Sequence, residues 1–189
     1  MFYELDMQNH IRLPPKEFKE DLKKALKKRI SEDYDGVIDK EKGIVIAVKE
    51  ITDIGEGIIV PGDGAAYYDV KFKLLAFKPE IQEVVLGIVT DITDFGVFFD
   101  MGTIDGMIHI SQTMDDFVSI SKMGVITGKE SKKVLKTKDK CKARIVAVSY
   151  KDMNNPKIGL TMRQHLLGSL LWIEEDKKKL KEETKEAKG

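Results

Sequence analysis

The sequence predicts an α+β N-terminal domain, one helix on a small antiparallel sheet, followed by an all-β unit whose short strands curl into a barrel. Three observations carry this. Apolar residues Phe18, Leu22, Ala25, Leu26 and Ile30 recur at helical spacing opposite a lysine-rich face. From Ile44 onward the apolar segments are instead short and separated by glycines. Pro79 marks a joint between the two parts.

In the first unit Phe2, Leu5, Met7 and Ile11 read as a strand, and Pro14-Pro15 form a rigid approach to the helix. Gly36 and Gly43 flank turns. Ile44 to Val48, Gly57 to Val60 and Tyr67 to Phe77 read as further strands, with Gly62-Asp63-Gly64 as a hairpin turn because glycine tolerates positive φ there. A sheet with one helix leaves a face and edges open, so cover from another protein is expected. Gly55-Glu-Gly57 and Gly62-Asp-Gly64 do not form a nucleotide loop, since neither leads from a strand into a helix and no Gly-Lys-Ser/Thr is present.

In the second unit Val84 to Val89 form a strand broken by Gly87, where a bend or close backbone approach is expected. Phe95 to Phe99 form the next strand, and Gly102 and Gly106 lead into a third from Met107 to Ile110. Strand alternation turns Ile108 and Ile110 inward and His109 outward. Phe95 and Phe98 differ by an odd number, so they share a face only if Gly96 lies in a bulge or Phe95 precedes regular pairing. Exposed rings beside a histidine suit stacking by bases, worth about 1–3 kcal/mol each. Alternatively, the rings are core and His109 is a hydrogen-bonded surface residue.

The motif Val-x-x-Ile-x-x-Phe95-Gly-x-Phe98, followed by Asp105-Gly-Met-Ile-His109-Ile-Ser, resembles the ribosomal protein S-one type RNA-binding domain. Ala143 to Val148 and Lys157 to Arg163 continue the likeness, which covers residues 82–165. The resemblance implies a five-stranded OB-fold barrel. It assigns the RNA face to Phe95, Phe98, His109 and a base near Lys157; Lys142 and Arg163 complete the expected RNA-binding set. Where the family commonly carries an acid after the strand ending at Val148, this chain has Ser149-Tyr150.

Lys+Arg and Asp+Glu both number 32, so the whole chain has no net attraction to nucleic acid. Charge is nonetheless segregated along the sequence. Residues 81–121 hold seven acids and no Lys or Arg, whereas 122–163 hold twelve bases, Lys122 among them, against three acids. The stretch from Lys129 to Lys142 reads as a basic loop able to follow phosphates, or as a solvated loop beside an acidic partner.

A single cysteine, Cys141, excludes a disulfide framework and a cysteine-based zinc site within the chain. No basic-then-apolar leader and no run of eighteen apolar residues is present, so a soluble cytoplasmic protein without membrane contact is expected. His10, His109 and His165 are scattered, and Asp115-Asp116 has no further acidic pattern. No catalytic residue, metal site or cofactor is expected.

Several segments beyond the barrel are similar to the E-prime family of archaeal DNA-directed RNA polymerase, counterpart of the seventh subunit of eukaryotic RNA polymerase II. They are the Asp53-Ile-Gly-Glu-Gly57 turn, the Val60 to Tyr67 hairpin, Ile108 to Phe117, Gly128-Lys-Glu and Leu160 to Gln164. The match runs from about residue 2 to Glu175. It implies a non-catalytic stalk subunit that pairs with the smaller F subunit, docks on the polymerase core near the clamp and faces the emerging single-stranded RNA transcript. The resemblance further implies that contact with that RNA assists open-complex formation, processivity and termination. Gly55, Gly62, Asp63 and Gly64 fall in the family's core-docking loops. The competing readings are a translation factor, which carries this barrel at its N-terminus followed by helices, and an accessory component of RNA decay, for whose catalytic core the remaining 80 residues are too few.

The expected division is 1–80 for the docking domain, 81–165 for the RNA-binding OB fold and 166–189 for a C-terminal helix and charged tail. Leu166, Leu167, Leu170, Leu171, Trp172 and Ile173 read as a short helix lying on the barrel or on the F subunit, and beyond it twelve of sixteen residues from Glu174 to Gly189 are charged, which favours fraying or disorder.

Overall fold

The computed structural model describes residues 1–121, 124–152 and 156–186, with side chains as far as Lys178. Lys122 and the last three residues of the charged tail lie outside the described residues. The chain forms two compact units, Met1–Lys78 and Pro79–Gly189.

In the first unit β1 (Phe2–Leu13), β2 (Ile38–Asp39), β3 (Gly43–Ile59) and β4 (Ala66–Phe77) form an antiparallel sheet in the order β1-β4-β3-β2. Helix α1 (Leu22–Tyr34) buries Ala25, Leu26 and Ile30 against one face, where Ile11, Val70, Phe72 and Leu74 complete the core. The helix begins later than the proline pair indicated. Pro15–Glu17 make only a 3₁₀ turn, and Asp21 caps α1 by accepting the Lys24 N–H at 3.0 Å. Phe18 precedes α1, and both it and Leu22 are exposed.

One expectation needs correction here. Ile44 to Val48 and Gly57 to Val60 are not separate strands around a turn at 53–57. Ile44 to Val48 and Gly57 to Ile59 belong to one 17-residue strand, β3, with Val60 just past its end, and it reconciles its length with the 12 residues of β4 through four register shifts. Gly57 lies against the Tyr68 ring, which an added Cβ would meet at 2.6 Å. Close strand approach, not a turn, is what selects that glycine.

The face away from α1 is charged. It carries Glu4 bonded to Lys49, Lys73 placed 3.9 Å from both Glu4 and Glu50, and Lys71 paired with Asp53 at 3.2 Å. Cross-strand charge pairs let this sheet face meet water.

In the second unit β5 (Val84–Ile92), β6 (Gly96–Asp100), β7 (Asp105–His109), β11 (Lys140–Ser149) and β12 (Lys157–Thr161) form a closed five-stranded barrel of the OB class. Closure comes from β12, which pairs antiparallel with β11 and parallel with β7. Phe99, Ile108, Ile126, Leu135 and Ile145 fill its core. Gly87 is the close approach expected: a Cβ there would lie 2.3 Å from the Asp100 carbonyl oxygen.

Between β7 and β11 stands a three-stranded sheet of β8 (Val118–Ser121), β9 (Val125–Gly128) and β10 (Val134–Lys136). The stretch from Lys129 to Lys142 is therefore not one free basic loop. Leu135 is fully buried and draws β10 into the core, while β11 already begins at Lys140. The carboxylates of Asp115-Asp116 are structural: Asp116 accepts the N–H groups of Ser131 and Glu130, at 2.9 and 3.0 Å, which holds it below its ordinary pKa. Asp115 pairs with Arg163.

A two-residue strand, β13 (Gly168–Ser169), adds to β11 and leads into α2 (Leu170–Glu186). Trp172 and Ile173 are buried, and the Trp172 indole N–H donates to the Val134 carbonyl at 3.1 Å. The helix runs past Glu174 instead of fraying there. Lys133 ties its second turn down through Asp176 at 2.8 Å.

Candidate nucleic-acid interface

Phe95 lies in the turn that precedes β6, closed by hydrogen bonds between Thr93 and Gly96, and its carbonyl accepts the Ile110 N–H at 3.0 Å. Because it precedes regular pairing, the odd separation from Phe98 imposes no opposite faces. The two rings meet edge to face with centroids 6.1 Å apart. Phe95 is 53% exposed and Phe98 half-buried, so the rings are not core.

Register places the remaining members. Gly96 is opposite His109 and Phe98 opposite Met107, so Met107 and His109 share the outward face with Phe98. Met107 is absent from the set expected from sequence, although strand alternation with His109 contains the signal. The thioether adds a deformable apolar contact beside the rings. The Nδ1 of His109 faces the Ser111 hydroxyl at 2.8 Å and accepts its backbone N–H at 3.3 Å. The neutral ring then carries its proton on Nε2, available to a ligand.

The basic residues do not gather uniformly on this platform. Lys157 is exposed on β12, in register with Ser149. Arg163 is exposed but paired with Asp115 at 2.8 Å. Lys142 faces outward on β11 between Leu86 of β5 and Gly168 of β13, and β5 separates it from the aromatic strand β6. Asp91 stands opposite Phe98 itself. The segregation of charge in sequence thus does not become a basic rim around the rings.

At the expected docking loop, Gly62 and Gly64 have φ of +96° and +68°, as the hairpin requires, and no neighbouring side chain crowds them. Asp63 points back to the sheet. Arg12 donates to both its carboxylate oxygens, at 2.8 and 2.5 Å, and the Tyr67 hydroxyl donates at 2.6 Å. The Arg12 bonds first, and Tyr67 next, hold the Asp63 carboxyl well below the usual range. Ile58, Ile59 and Val60 are left exposed beside the turn. Gly55 lies within β3, not in the loop.

Among the described residues no group of three His, Cys, Asp or Glu side chains is arranged to hold a metal ion, and no helix is long and apolar enough to cross a membrane.

Comparison with known proteins fits both units. Residues 8–64 match the SHS2 domain found in the N terminus of Rpb7p/Rpc25p/MJ0397, and residues 78–151 match the S1 RNA binding domain. The DNA-directed RNA polymerase subunit Rpo7 of Saccharolobus solfataricus is 38% identical over 94% of this chain and 100% of its own length. The chain belongs to the Rpo7 family of archaeal RNA polymerase subunits. The family's member in Sulfolobus acidocaldarius is 34% identical over 93% of this chain and 97% of its own. More distantly, DNA-directed RNA polymerase III subunit RPC8 of Saccharomyces cerevisiae is 29% identical over 60% of this chain and 54% of its own.

Family membership makes the chain a non-catalytic stalk subunit of RNA polymerase and removes support for the translation-factor and RNA-decay readings. Both are disfavoured because the likeness spans the α+β unit as well as the barrel.

Proposed function

We propose that this stalk protein pairs with the F subunit in a cytoplasmic heterodimer, docks on the polymerase core near the clamp through the β3–β4 hairpin, and receives single-stranded transcript on the barrel. In this role it assists open-complex formation, processivity and termination. Residues 1–80 then serve docking, 81–165 RNA binding, and 166–189 the C-terminal helix and tail.

The observation that carries the RNA reading is the shared outward face of Phe95, Phe98, Met107 and His109. Two rings and a thioether stack bases of any identity, while the His109 Nε2–H and the Lys157 ammonium supply polar contacts. Acidic neighbours such as Asp91 leave stacking as the main attraction and weaken long-range capture. Transcript already held nearby by an elongating enzyme needs no such capture, because tethering raises its effective concentration.

Docking rests on the hairpin, where Gly62 and Gly64 shape the turn, Asp63 anchors it, and Ile58 to Val60 present apolar side chains. Gly55 contributes by shaping β3 behind the loop.

Reconstitution with the F subunit and polymerase lacking its stalk, followed by crosslinking from a photoreactive nucleotide in the transcript, tests the reading. Crosslinks should fall between Phe95 and His109 and vanish in the Phe98→Ala/His109→Ala variant. Crosslinks confined to other surfaces of the chain would refute it.

A further inference from the structure

The outward face of α1, in the first unit, is a basic surface. From Lys23 to Lys28 every exposed position is a lysine, because Ala25 and Leu26 are the two residues turned into the core. Lys23 and Lys27 are four residues apart, as are Lys24 and Lys28, so like charges stand ~5–6 Å from one another along the helix. The nearby acids are engaged elsewhere. Arg29 takes Glu17 at 3.0 Å and Glu32 at 2.9 Å and has Asp33 close by, Asp21 caps the helix, and Asp35 accepts from the Ser31 hydroxyl. Glu20 is exposed just before the cap. Among the described residues none of the four lysines pairs with a carboxylate, and Lys27 donates to the Lys49 carbonyl at 3.2 Å, which brings no opposite charge.

This placement works against the helix itself. Beyond its Asp21 cap, the first turn of α1 holds Lys23 and Lys24 and no acid, while the last turn holds no base, the reverse of what the helix dipole favours. Repulsion between the paired lysines adds to that cost. Folding of the unit therefore does not account for four lysines in succession, whereas an external anion does.

The chemistry of the face selects the anion. Its four positions offer no apolar or aromatic side chain to anchor a protein, whose interfaces are depleted in lysine and centred on such anchors. Phe18 precedes α1, and Leu22 lies four residues before the buried Leu26, on the flank toward the core. A single strand would likewise find no ring among the lysines on which to stack its bases. Duplex DNA needs neither, since it keeps its bases stacked and presents about one negative charge per 1.7 Å of axis. Ammonium groups on long flexible stems meet such a row as point charges and read no sequence.

We propose that the outward face of α1 is a sequence-independent contact for the phosphate backbone of duplex DNA, made by Lys23, Lys24, Lys27 and Lys28. The polymerase of which the chain is a subunit is DNA-directed, so the duplex is held in the same assembly and a weak contact suffices. The contact is separate from transcript binding on the barrel and does not depend on it.

Fluorescence anisotropy of the full chain with a labelled duplex of mixed sequence, over a series of salt concentrations, is the test. Affinity should fall with salt with a log–log slope of up to about −3.6, and each Lys→Gln change should reduce the slope by about 0.9. The variant carrying all four Lys→Gln changes should lose about 10-fold or more in duplex affinity at low salt. Its affinity for single-stranded RNA should scarcely change. Its thermal midpoint should hold or rise, because glutamine is as good a helix former as lysine and the repulsion is gone. A lowered midpoint would make the lysines structural and overturn the proposal. So would wild-type affinity for duplex in the fourfold variant, or no binding of duplex by the wild-type chain at low salt. Loss of duplex binding in Phe98→Ala/His109→Ala instead would place the duplex on the barrel, and an equal loss of duplex and single-stranded RNA in the fourfold variant would remove the preference for duplex; either result overturns the assignment.

Discussion

Arg12 and Asp63 form a two-toothed fork between the far end of β1 and the β3–β4 hairpin, with bonds of 2.8 and 2.5 Å. Arg12 is in register with Tyr67, which grips the same carboxylate, so two neighbouring strands hold one loop residue. The geometry makes Asp63 an internal anchor that positions the exposed Ile58 to Val60 segment. Asp63→Asn or Arg12→Ala should weaken docking to stalk-less polymerase about 10-fold while scarcely moving the thermal midpoint, because exposed pairs add little to stability. The reversed pair Arg12→Asp/Asp63→Arg should recover part of the affinity that each single reversal loses. No recovery would place both residues in direct contact with the core.

The same fork sets a pH dependence for the loop. Asp63 has a folded pKa below its unfolded value, so its contribution is complete above the ordinary carboxylate pKa of ~4 and is lost as pH falls through the lower folded value. Proton-detected resonances of the hairpin should therefore stay unchanged from pH 7 to 5 and shift only in stronger acid. Movement near pH 6 would contradict the assignment.

Replacing Gly62 and Gly64 together by valine should abolish docking and leave RNA binding unaltered. Nothing lies within 4 Å of either position, so the penalty is conformational, about 1–2 kcal/mol for each left-handed residue. A loop that rearranges to escape that strain no longer presents its apolar residues. Undiminished docking of this variant would remove the hairpin from the interface.

In RNA titrations, Phe98→Ala with His109→Ala should cost about 1–3 kcal/mol per lost stack without changing the salt slope. Lys157→Ser should flatten that slope. Lys133→Ser should not, because Lys133 is committed to Asp176 at 2.8 Å and lies over the Trp172 ring. Duplex DNA should compete poorly, since its bases are already stacked. An unweakened double variant that stays folded would place the RNA surface elsewhere.

Gly87→Ala should destabilise the barrel by about 1–3 kcal/mol, because the added methyl meets the Asp100 carbonyl at 2.3 Å and the Phe99 ring at 2.6 Å. Denaturant unfolding of the full chain should show a lower midpoint for the transition that reports Trp172, which packs in the same core. An unchanged midpoint would mean that β5 and β6 separate freely at this point.

Some features of this protein are local in the chain and were therefore readable from it. The outward His109, the glycine approach at Gly87 and the positive-φ hairpin at Gly62 and Gly64 follow from alternation and the absence of a Cβ, which need no knowledge of distant residues. The polymerase family was legible from motif order across both units. What the tertiary structure alone decided depends on partners far away in sequence. β3 runs through Gly55 and Gly57 because β4 pairs with it on both sides of the register shift between Ile54 and Gly57, β10 forms because the barrel core takes Leu135, and Asp63 turns inward because Arg12 stands 51 residues before it. Likewise Lys142 reads in sequence as one more base in a basic run. Pairing with Leu86 is what sets it beside an aliphatic side chain, and strand register is a property of two segments that neither contains by itself.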